Sequence, residues 1–264
     1  MREPLFTTSP SGLSLAYLED GPADDDTRCG FFWLGGFKSD MTGSKAEALA
    51  IVATEMDRPC LRFDYSGHGR SEGIFTECTI SDWLAEAVHM FRSLTSGPRI
   101  VIGSSMGGWL AMLLLRALGE DAARIHGIIL IAPAADMTRA LMWDAFTAEA
   151  RAAIERDGVW HRPSSYGEPY PISKRLIEDG RQHLILQTRQ RVACPLRILH
   201  GDRDKDVPWI HGKRLYDTVD GTDVRFILIK GGDHRLSTER DLFLLQNIAN
   251  ELAEDSDEAR DGAE

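Results

Sequence analysis

Strand-like and helix-like segments alternate along most of this chain, and this alternation limits its fold more than any other feature. Short apolar runs at residues 31–34, 100–102 and 125–131 alternate with longer segments, such as residues 80–94, whose apolar side chains recur at helical spacing. Parallel strands need crossover connections, which are usually helices. The sequence therefore predicts an α/β fold with a mostly parallel central sheet and helices on both faces.

One segment interrupts the alternation. Residues 134–191 begin with a helical pattern and then become irregular, with several prolines and a glycine, before the strand–helix order resumes at residues 196–199. A single interruption between two parts of one frame indicates an inserted unit. We therefore expect an α/β core made of residues 1–133 and 192–253, with a helical cap insertion at residues 134–191.

The end of the chain differs in composition from the rest. Residues 254–264 contain no apolar side chain other than alanine, and the whole chain has a formal net charge of −11. Such a segment buries too little apolar surface to fold, so we expect a disordered acidic tail; a docking tail for a partner is the functional alternative. The negative charge argues against nucleic acid or an anionic membrane as the main partner.

Several classes of site and location are disfavoured. The four cysteines are scattered without a Cys-x-x-Cys pair, and no metal-ligand constellation is found, so we expect neither a metal nor a cofactor. Residues 67–73 have the spacing Gly-x-Gly-x-x-x-Gly, which departs from a dinucleotide-binding loop. The first ten residues lack a secretory pattern, and no apolar run approaches the ~20 residues of a membrane helix. These features favour a soluble, cytoplasmic protein.

A Gly-x-Ser-x-Gly motif at residues 103–107 lies between a short apolar strand and a helix. A serine on such a tight turn is held above the sheet, and the two glycines remove side chains that would collide there. The next amide begins the helix, where unpaired N–H groups favour a negatively charged oxygen. We therefore predict Ser105 as a nucleophile, with Ser104 as the competing serine outside the motif.

A serine nucleophile needs a base and an acid that orients it, and both have candidates at later strand ends. The strand at residues 196–199 is followed by Asp202, Asp204 and Asp206, and the next strand is followed by a glycine-rich loop that contains His234. The chain order serine, acid, histidine is typical of a nucleophile on such a strand-to-helix turn. We predict His234 as the base, because no histidine lies beyond it and the others fit the strand ends poorly.

Backbone donors and a substrate pocket complete the predicted site. The Gly-Gly pair after the strand at residues 31–34 lets the backbone approach a substrate, although a simple turn is the alternative. We predict the amides of Phe37 and Met106 as oxyanion donors, with Gly36 at the substrate. The predicted cap is rich in aromatic side chains, which can line an acyl pocket or pack the insertion onto the core. These aromatic residues are Trp143, Trp160 and Tyr170, which we assign to substrate binding, together with Phe146 and Tyr166.

With these residues placed, the chain resembles the α/β-hydrolase superfamily from about residue 13 to residue 252. Residues 64–71 are similar to its Asp-x-x-Gly-x-Gly-x-Ser turn, and the His-Gly-x-x-Asp-x-x-Val-Pro pattern at residues 200–208 resembles its acid loop, which selects Asp204. Within that superfamily the chain resembles the α/β-hydrolase domain-containing protein ten family. That likeness is carried by residues 62–67, 103–110, 158–160, 207–209 and 233–235.

The resemblance implies an α/β-hydrolase fold and a serine hydrolase that forms an acyl-enzyme with Ser105, Asp204 and His234. The family cleaves S-palmitoyl thioesters and acyl glucuronide esters, so we expect a small-molecule or acyl-chain ester or thioester, or an acylated protein, as substrate. The chain shows no transit peptide, which favours a cytoplasmic bacterial relative. The alternatives are an amide-bond or carbon–carbon hydrolase on the same triad, a ligand-binding protein without turnover, and an interaction module built on the acidic tail.

Overall fold

A computed structural model describes residues 3–24, 28–163 and 169–262 of the chain. The strands in chain order are β1 (Leu5–Thr8), β2 (Ser14–Asp20), β3 (Gly30–Leu34), β4 (Cys60–Phe63), β5 (Arg99–Ser104), β6 (Ile125–Ile131), β7 (Val159–Arg162), β8 (Tyr170–Ser173), β9 (Gln190–Arg191), β10 (Leu196–Gly201), β11 (Val219–Asp220) and β12 (Val224–Ile229). The α-helices are α1 (Ser44–Glu55), α2 (Ile80–Leu94), α3 (Met106–Ala117), α4 (Ala148–Asp157), α5 (Lys174–Gly180), α6 (Trp209–Thr218) and α7 (Glu239–Asp261).

Within the described ranges, eight strands form a central sheet in the order β1-β2-β4-β3-β5-β6-β10-β12. β2 pairs antiparallel with β1 and with β4, and all other neighbours in this sheet are parallel. The predicted mostly parallel sheet is therefore confirmed. Because parallel strands end at the same edge, the loops after β3, β5, β10 and β12 all open on one side of the sheet, where ligands of open α/β sheets bind.

The two faces of the sheet bury alternate side chains of the same strand. On β3, Phe31 and Trp33 belong to an apolar cluster that includes side chains of α1 and α7. Phe32 and Leu34 belong to a larger cluster that includes side chains of α2 and α3. All five residues of this strand are buried, which explains why it appears in the sequence as a continuous apolar run.

Between β6 and β10 the chain leaves the central sheet. This segment contains a short π-helix at Thr138–Trp143, the helices α4 and α5, and the antiparallel pair of β7 with β8. The strand pair was not expected, because each strand has only four residues and the sequence around them is rich in proline. The division into a core and a cap insertion at residues 134–191 stays a prediction.

The end of the chain is helical, so the predicted disordered tail at residues 254–264 is wrong for the part that α7 contains. Ser256 is buried and its hydroxyl hydrogen-bonds to His126. Asp257 pairs with the buried guanidinium of Arg58. These partners come from distant parts of the chain, so the local composition of the tail carried no sign of them.

Candidate active site

Ser105 lies on the turn between β5 and α3, and its backbone is strained. Its φ of 54° and ψ of −115° fall in a region that residues with a side chain rarely adopt. The flanking glycines are required by close approaches: a Cβ on Gly103 would collide with the Gly107 carbonyl, and a Cβ on Gly107 would collide with the Leu34 carbonyl. The motif therefore holds Ser105 at the carboxyl end of β5.

Three side chains from three separate loops meet at this turn. The Ser105 hydroxyl donates to Nε2 of His234, with 3.1 Å between the two atoms. Nδ1–H of His234 donates to Oδ2 of Asp204 over 2.8 Å. The Asp204 side chain is fully buried, whereas 18% of the His234 side chain is exposed. The structure thus brings together the residues that the sequence predicted as nucleophile, base and acid.

The Asp204 carboxylate is surrounded by hydrogen-bond donors. Its Oδ1 accepts from the backbone N–H groups of Asp206 and Val207, at 2.9 and 2.8 Å. Its Oδ2 lies 3.4 Å from Nε2 of His200, in addition to the bond from His234. Burial by itself raises the pKa of the Asp204 carboxyl, but the hydrogen bonds outweigh it and hold this pKa well below its usual range. Asp204 is therefore ionised at neutral pH.

The competing residues take other positions. Asp202 accepts a hydrogen bond from the Gly231 N–H at 2.6 Å and pairs with Lys230 at 2.8 Å. Ser104 is the last residue of β5 and is buried. Asp204, and not Asp202, accepts the hydrogen bond from His234, so the structure favours the choice made from the acid-loop pattern.

Three neighbouring side chains at the site are of types that can act as metal ligands. The ligand atoms of Asp204, Asp206 and His234 lie within 4.8 Å of one another. Asp204 and His234 already bond to each other, and both oxygens of Asp204 are hydrogen-bonded to N–H groups. This geometry suits a carboxylate that orients an imidazole.

The predicted oxyanion donors lie on both sides of Ser105. Met106 is the first residue of α3, and Phe37 lies on the turn after β3, residues 35–39, which we call the oxyanion loop. Within the described ranges, neither amide N–H has a hydrogen-bond partner, so both can donate to a substrate oxygen. The loop is close to Ser105, because a Cβ on Gly36 would lie 3.4 Å from the Ser105 Cβ.

Two side chains that the sequence did not single out hold loops of the site. Nε2 of His68 accepts a hydrogen bond from the Lys38 N–H at 3.1 Å. The Lys45 ammonium donates to the Arg235 carbonyl at 2.5 Å and so joins α1 to the loop of the base. Each contact connects segments that are distant in the chain. A local sequence pattern therefore could not reveal either role, although His68 lies within the turn that carried the superfamily resemblance.

A cavity of about 530 Å³ includes Ser105 and His234 in its wall. The segment between β6 and β10 contributes a largely apolar wall, whose members include Met137, Leu141, Met142, Tyr170 and Ile172. The loops of the central sheet and the start of α1 contribute a more polar wall, whose members include Ser39, Ser44, Lys45, Arg235 and Ser237. The cavity that includes Ser105 is therefore lined by both apolar and polar side chains.

The predicted substrate-binding residues separate into two groups. Gly36 and Tyr170 line the cavity, and so does Phe37. Among the residues that the structure describes, Trp143 and Trp160 do not line the cavity, so their predicted role in substrate binding is wrong.

The two tryptophans pack against side chains of the segment between β6 and β10. The Trp160 ring packs edge-on against Phe146, with 4.9 Å between centroids. The Trp143 ring lies under the guanidinium groups of Arg151 and Arg181, at 5.8 and 5.9 Å. Both rings also pack against the larger apolar cluster on the α2–α3 face of the sheet. Tyr166 lies outside the described residues.

Comparison with known proteins gives consistent matches over most of the chain. Residues 32–245 match a family model described as the alpha/beta hydrolase family. The mitochondrial palmitoyl-protein thioesterase ABHD10 of Homo sapiens is 35% identical over 225 residues, which are 84% of this chain and 72% of that protein.

Solved structures match nearly the whole chain. A putative hydrolase from Agrobacterium vitis S4 has a TM-score of 0.89 and 36% identity, covering 95% of this chain and 98% of that chain. Alpha/beta hydrolase domain-containing protein 10 from mouse has a TM-score of 0.85 and 31% identity, covering 96% of this chain and 99% of that chain.

The comparisons correct the expected cytoplasmic location. Curated relatives from several mammals, at 34 to 36% identity, are named as mitochondrial proteins. The expectation was based on the start of the chain, and a folded domain of this kind carries no address in its core, because targeting segments are read separately. Over the described residues, no helix combines the length and apolar character needed to cross a bilayer.

Proposed function

Because the chain belongs to the alpha/beta hydrolase family, we propose that it hydrolyses carboxylic esters or thioesters with Ser105 as nucleophile, His234 as base and Asp204 as orienting acid. The observation that carries this proposal is the hydrogen-bonded path from the Ser105 hydroxyl through His234 to Asp204. The family resemblance and the α/β-hydrolase fold predicted from the motifs are confirmed by the family match and the related structures.

In the first half of the reaction, Oγ of Ser105 attacks the acyl carbon while Nε2 of His234 takes the hydroxyl proton. The carbonyl oxygen becomes negative, and the amides of Phe37 and Met106 donate to it, each contributing about 3 kcal/mol to the transition state. Protonated His234 then gives its proton to the departing oxygen or sulfur. The bond to the leaving group breaks and an acyl-enzyme remains on Ser105.

In the second half, water replaces the leaving group. His234 takes a proton from this water as the water oxygen attacks the acyl carbon, and it returns that proton to Oγ of Ser105 when the acid departs. Asp204 keeps Nδ1 of His234 protonated throughout, so Nε2 always faces the serine. The ionised carboxylate also stabilises the imidazolium that forms in both halves.

The two walls of the cavity support a substrate with an apolar acyl group and a polar leaving group. Met137, Leu141 and Met142 offer apolar surface to an acyl chain, in keeping with relatives that are named palmitoyl-protein thioesterases. The polar part of the wall includes the first residues of α1, Ser44 and Lys45. A helix N-terminus and an ammonium group favour a leaving group that carries hydrogen-bond acceptors.

Substitution of Ser105 tests the proposal directly. Ser105→Ala removes the nucleophile and should lower the turnover of p-nitrophenyl butyrate roughly 10⁴-fold or more, while the thermal unfolding midpoint stays near that of the wild type. Ser104→Ala is the matched control, because it removes the adjacent hydroxyl, and it should keep most of the activity. Wild-type turnover by Ser105→Ala would place the nucleophile elsewhere.

Two further measurements separate the proposed activity from the alternatives. One acyl group presented as a thioester, an oxyester, an amide and a β-diketone should be released fastest from the thioester or the oxyester. A fluorophosphonate probe should label the wild-type protein and fail to label Ser105→Ala. Absence of labelling in the wild type would instead favour a ligand-binding protein without turnover.

A further inference from the structure

We propose that His68 is a positioning residue for oxyanion stabilisation: its imidazole holds the oxyanion loop in the conformation that presents the Phe37 N–H to the substrate oxygen. This inference rests on the proposed function, because it assigns a task within the same site. It is carried by the hydrogen bond between His68 and the amide that follows Phe37.

The hydrogen bonds of His68 determine which nitrogen carries the proton. Nδ1 lies 3.1 Å from the Ser66 carbonyl oxygen, and a carbonyl only accepts, so Nδ1 is the protonated nitrogen. Nε2 then has a lone pair and accepts from the Lys38 N–H at 3.1 Å. Burial lowers the pKa of the His68 imidazole to about 4, so the neutral form that this geometry requires is present at neutral pH.

The oxyanion loop depends on this acceptor because it contains a strained turn. Lys38 has a φ of 59°, a left-handed conformation that residues with a side chain rarely adopt. The turn is closed by a bond from the Ser39 N–H to the Gly36 carbonyl at 3.1 Å. Without His68 the partly buried hydrogen bond of the Lys38 N–H would be lost, and the peptide after Phe37 could rotate. The Phe37 N–H belongs to the preceding peptide, which is held by the same turn, so a looser turn would hold this N–H less firmly toward the substrate oxygen.

A second set of hydrogen bonds joins the turn that contains His68 to the segment after β3. Asp64 begins the turn that contains His68, and its carboxylate accepts from the Arg70 N–H at 2.8 Å and from the Met41 N–H at 2.7 Å. Met41 follows the oxyanion loop by two residues. Asp64 therefore joins the turn after β4 to the segment after β3, and His68 adds the contact that reaches the loop itself.

An aromatic cluster keeps the His68 ring in place without the hydrogen bond. The ring lies 5.1 Å from both Phe75 and Trp83, and the Phe37 ring contacts the same two side chains at 4.9 and 6.1 Å. A phenyl ring at position 68 would keep this aromatic packing and lose the acceptor. The packing and the hydrogen bond can therefore be separated by substitution.

The experiment compares His68→Phe, which removes the acceptor, with His68→Gln, whose side-chain oxygen can replace Nε2. With a p-nitrophenyl ester, kcat of His68→Phe should fall roughly 10- to 100-fold, part of the loss seen when an oxyanion donor is removed. The Phe37 N–H acts mainly on the transition state, so KM should change little. His68→Gln should recover most of the lost kcat.

A readout independent of activity is hydrogen–deuterium exchange of the Lys38 amide, which should be faster in His68→Phe than in the wild type and restored in His68→Gln. His126→Phe is the matched control: His126 bonds to Ser256 of α7, and its replacement should leave kcat and this exchange unchanged. Wild-type kcat in His68→Phe, or an equal loss in both His68 variants, would overturn the inference. If the wild type hydrolyses no ester, the proposed function has failed, and the exchange measurement still tests the hydrogen bond.

Discussion

At the scale of single residues, Asp204 shows how burial and hydrogen bonding compete in one carboxyl group. Its side chain is fully buried, which disfavours the charged form, but two histidines and two backbone N–H groups surround it. The hydrogen bonds prevail and hold the pKa of Asp204 below its usual range, although burial is the largest single influence on it. A charged acceptor is thus maintained behind His234 without exposure to solvent.

Substitution of this acid should be far more damaging than substitution of its neighbours. Asp204→Asn keeps the shape but presents an amide in place of the charge, so His234 loses both its orientation and the stabilisation of its imidazolium. We expect kcat on p-nitrophenyl esters to fall roughly 10³- to 10⁴-fold. Asp202→Asn and Asp206→Asn are the matched controls and should stay near the wild-type rate. If Asp206→Asn is the inactive variant, the acid has been assigned to the wrong residue.

At the scale of secondary-structure elements, α7 is longer than its apolar stripe. Leu245, Ile248 and Leu252 pack against the sheet, and the stripe ends at Ala253. The last turns are held by polar contacts instead: Asp257 accepts from Arg58 at 2.6 Å and from the Cys29 N–H at 2.8 Å. The acidic end of the helix is therefore anchored where β3 and β4 begin.

This anchoring predicts that the end of the chain matters for stability. Asp257→Asn removes the charge that faces the buried Arg58 and should lower the free energy of unfolding by about 2 kcal/mol, below the cost of breaking a fully buried pair because Asp257 is partly exposed. Asp255→Asn, at an exposed position of the same helix, should change it little. Urea denaturation at pH 7 measures both. Truncation after Ala253 with unchanged stability would contradict this account.

At the scale of the whole molecule, the cavity joins two parts of the chain with different chemistry. The loops at the carboxyl edge of the sheet supply Ser105, His234, Asp204 and most of the polar lining residues. The segment between β6 and β10 supplies most of the apolar wall. Substrate preference can therefore change through the second segment without any change to Ser105, His234 or Asp204.

A substitution that fills the apolar wall should select for short acyl groups. Leu141 is half-buried and lines the cavity, so Leu141→Trp would occupy space available to an acyl chain. We expect kcat/KM for a dodecanoyl thioester to fall by at least about tenfold relative to the acetyl thioester, the effect of roughly two lost methylene contacts. Leu228→Trp, on the exposed edge strand β12, should leave this ratio unchanged. An equal loss for both chain lengths would argue that the acyl group lies elsewhere.

Features that depend on neighbouring residues can be predicted from the sequence. The parallel sheet follows from periodicity, and the position of Ser105 follows from five adjacent residues between a strand and a helix. His234 could be chosen because it lies at the last strand end that offers a histidine. Family resemblance was needed to select Asp204 from three aspartates within five residues, because only their side-chain directions distinguish them.

The sequence by itself determined the strand–helix alternation of the α/β frame, the glycine-flanked serine turn and the family, because each depends on residues that are close together in the chain. Tertiary structure alone decided that His68 reaches Lys38, that Asp257 reaches Arg58, and that Trp143 and Trp160 pack against the larger apolar cluster. Those outcomes depend on which distant segments meet. Contacts of this kind, formed only when the sheet and its covering helices assemble, leave no period or motif along the chain.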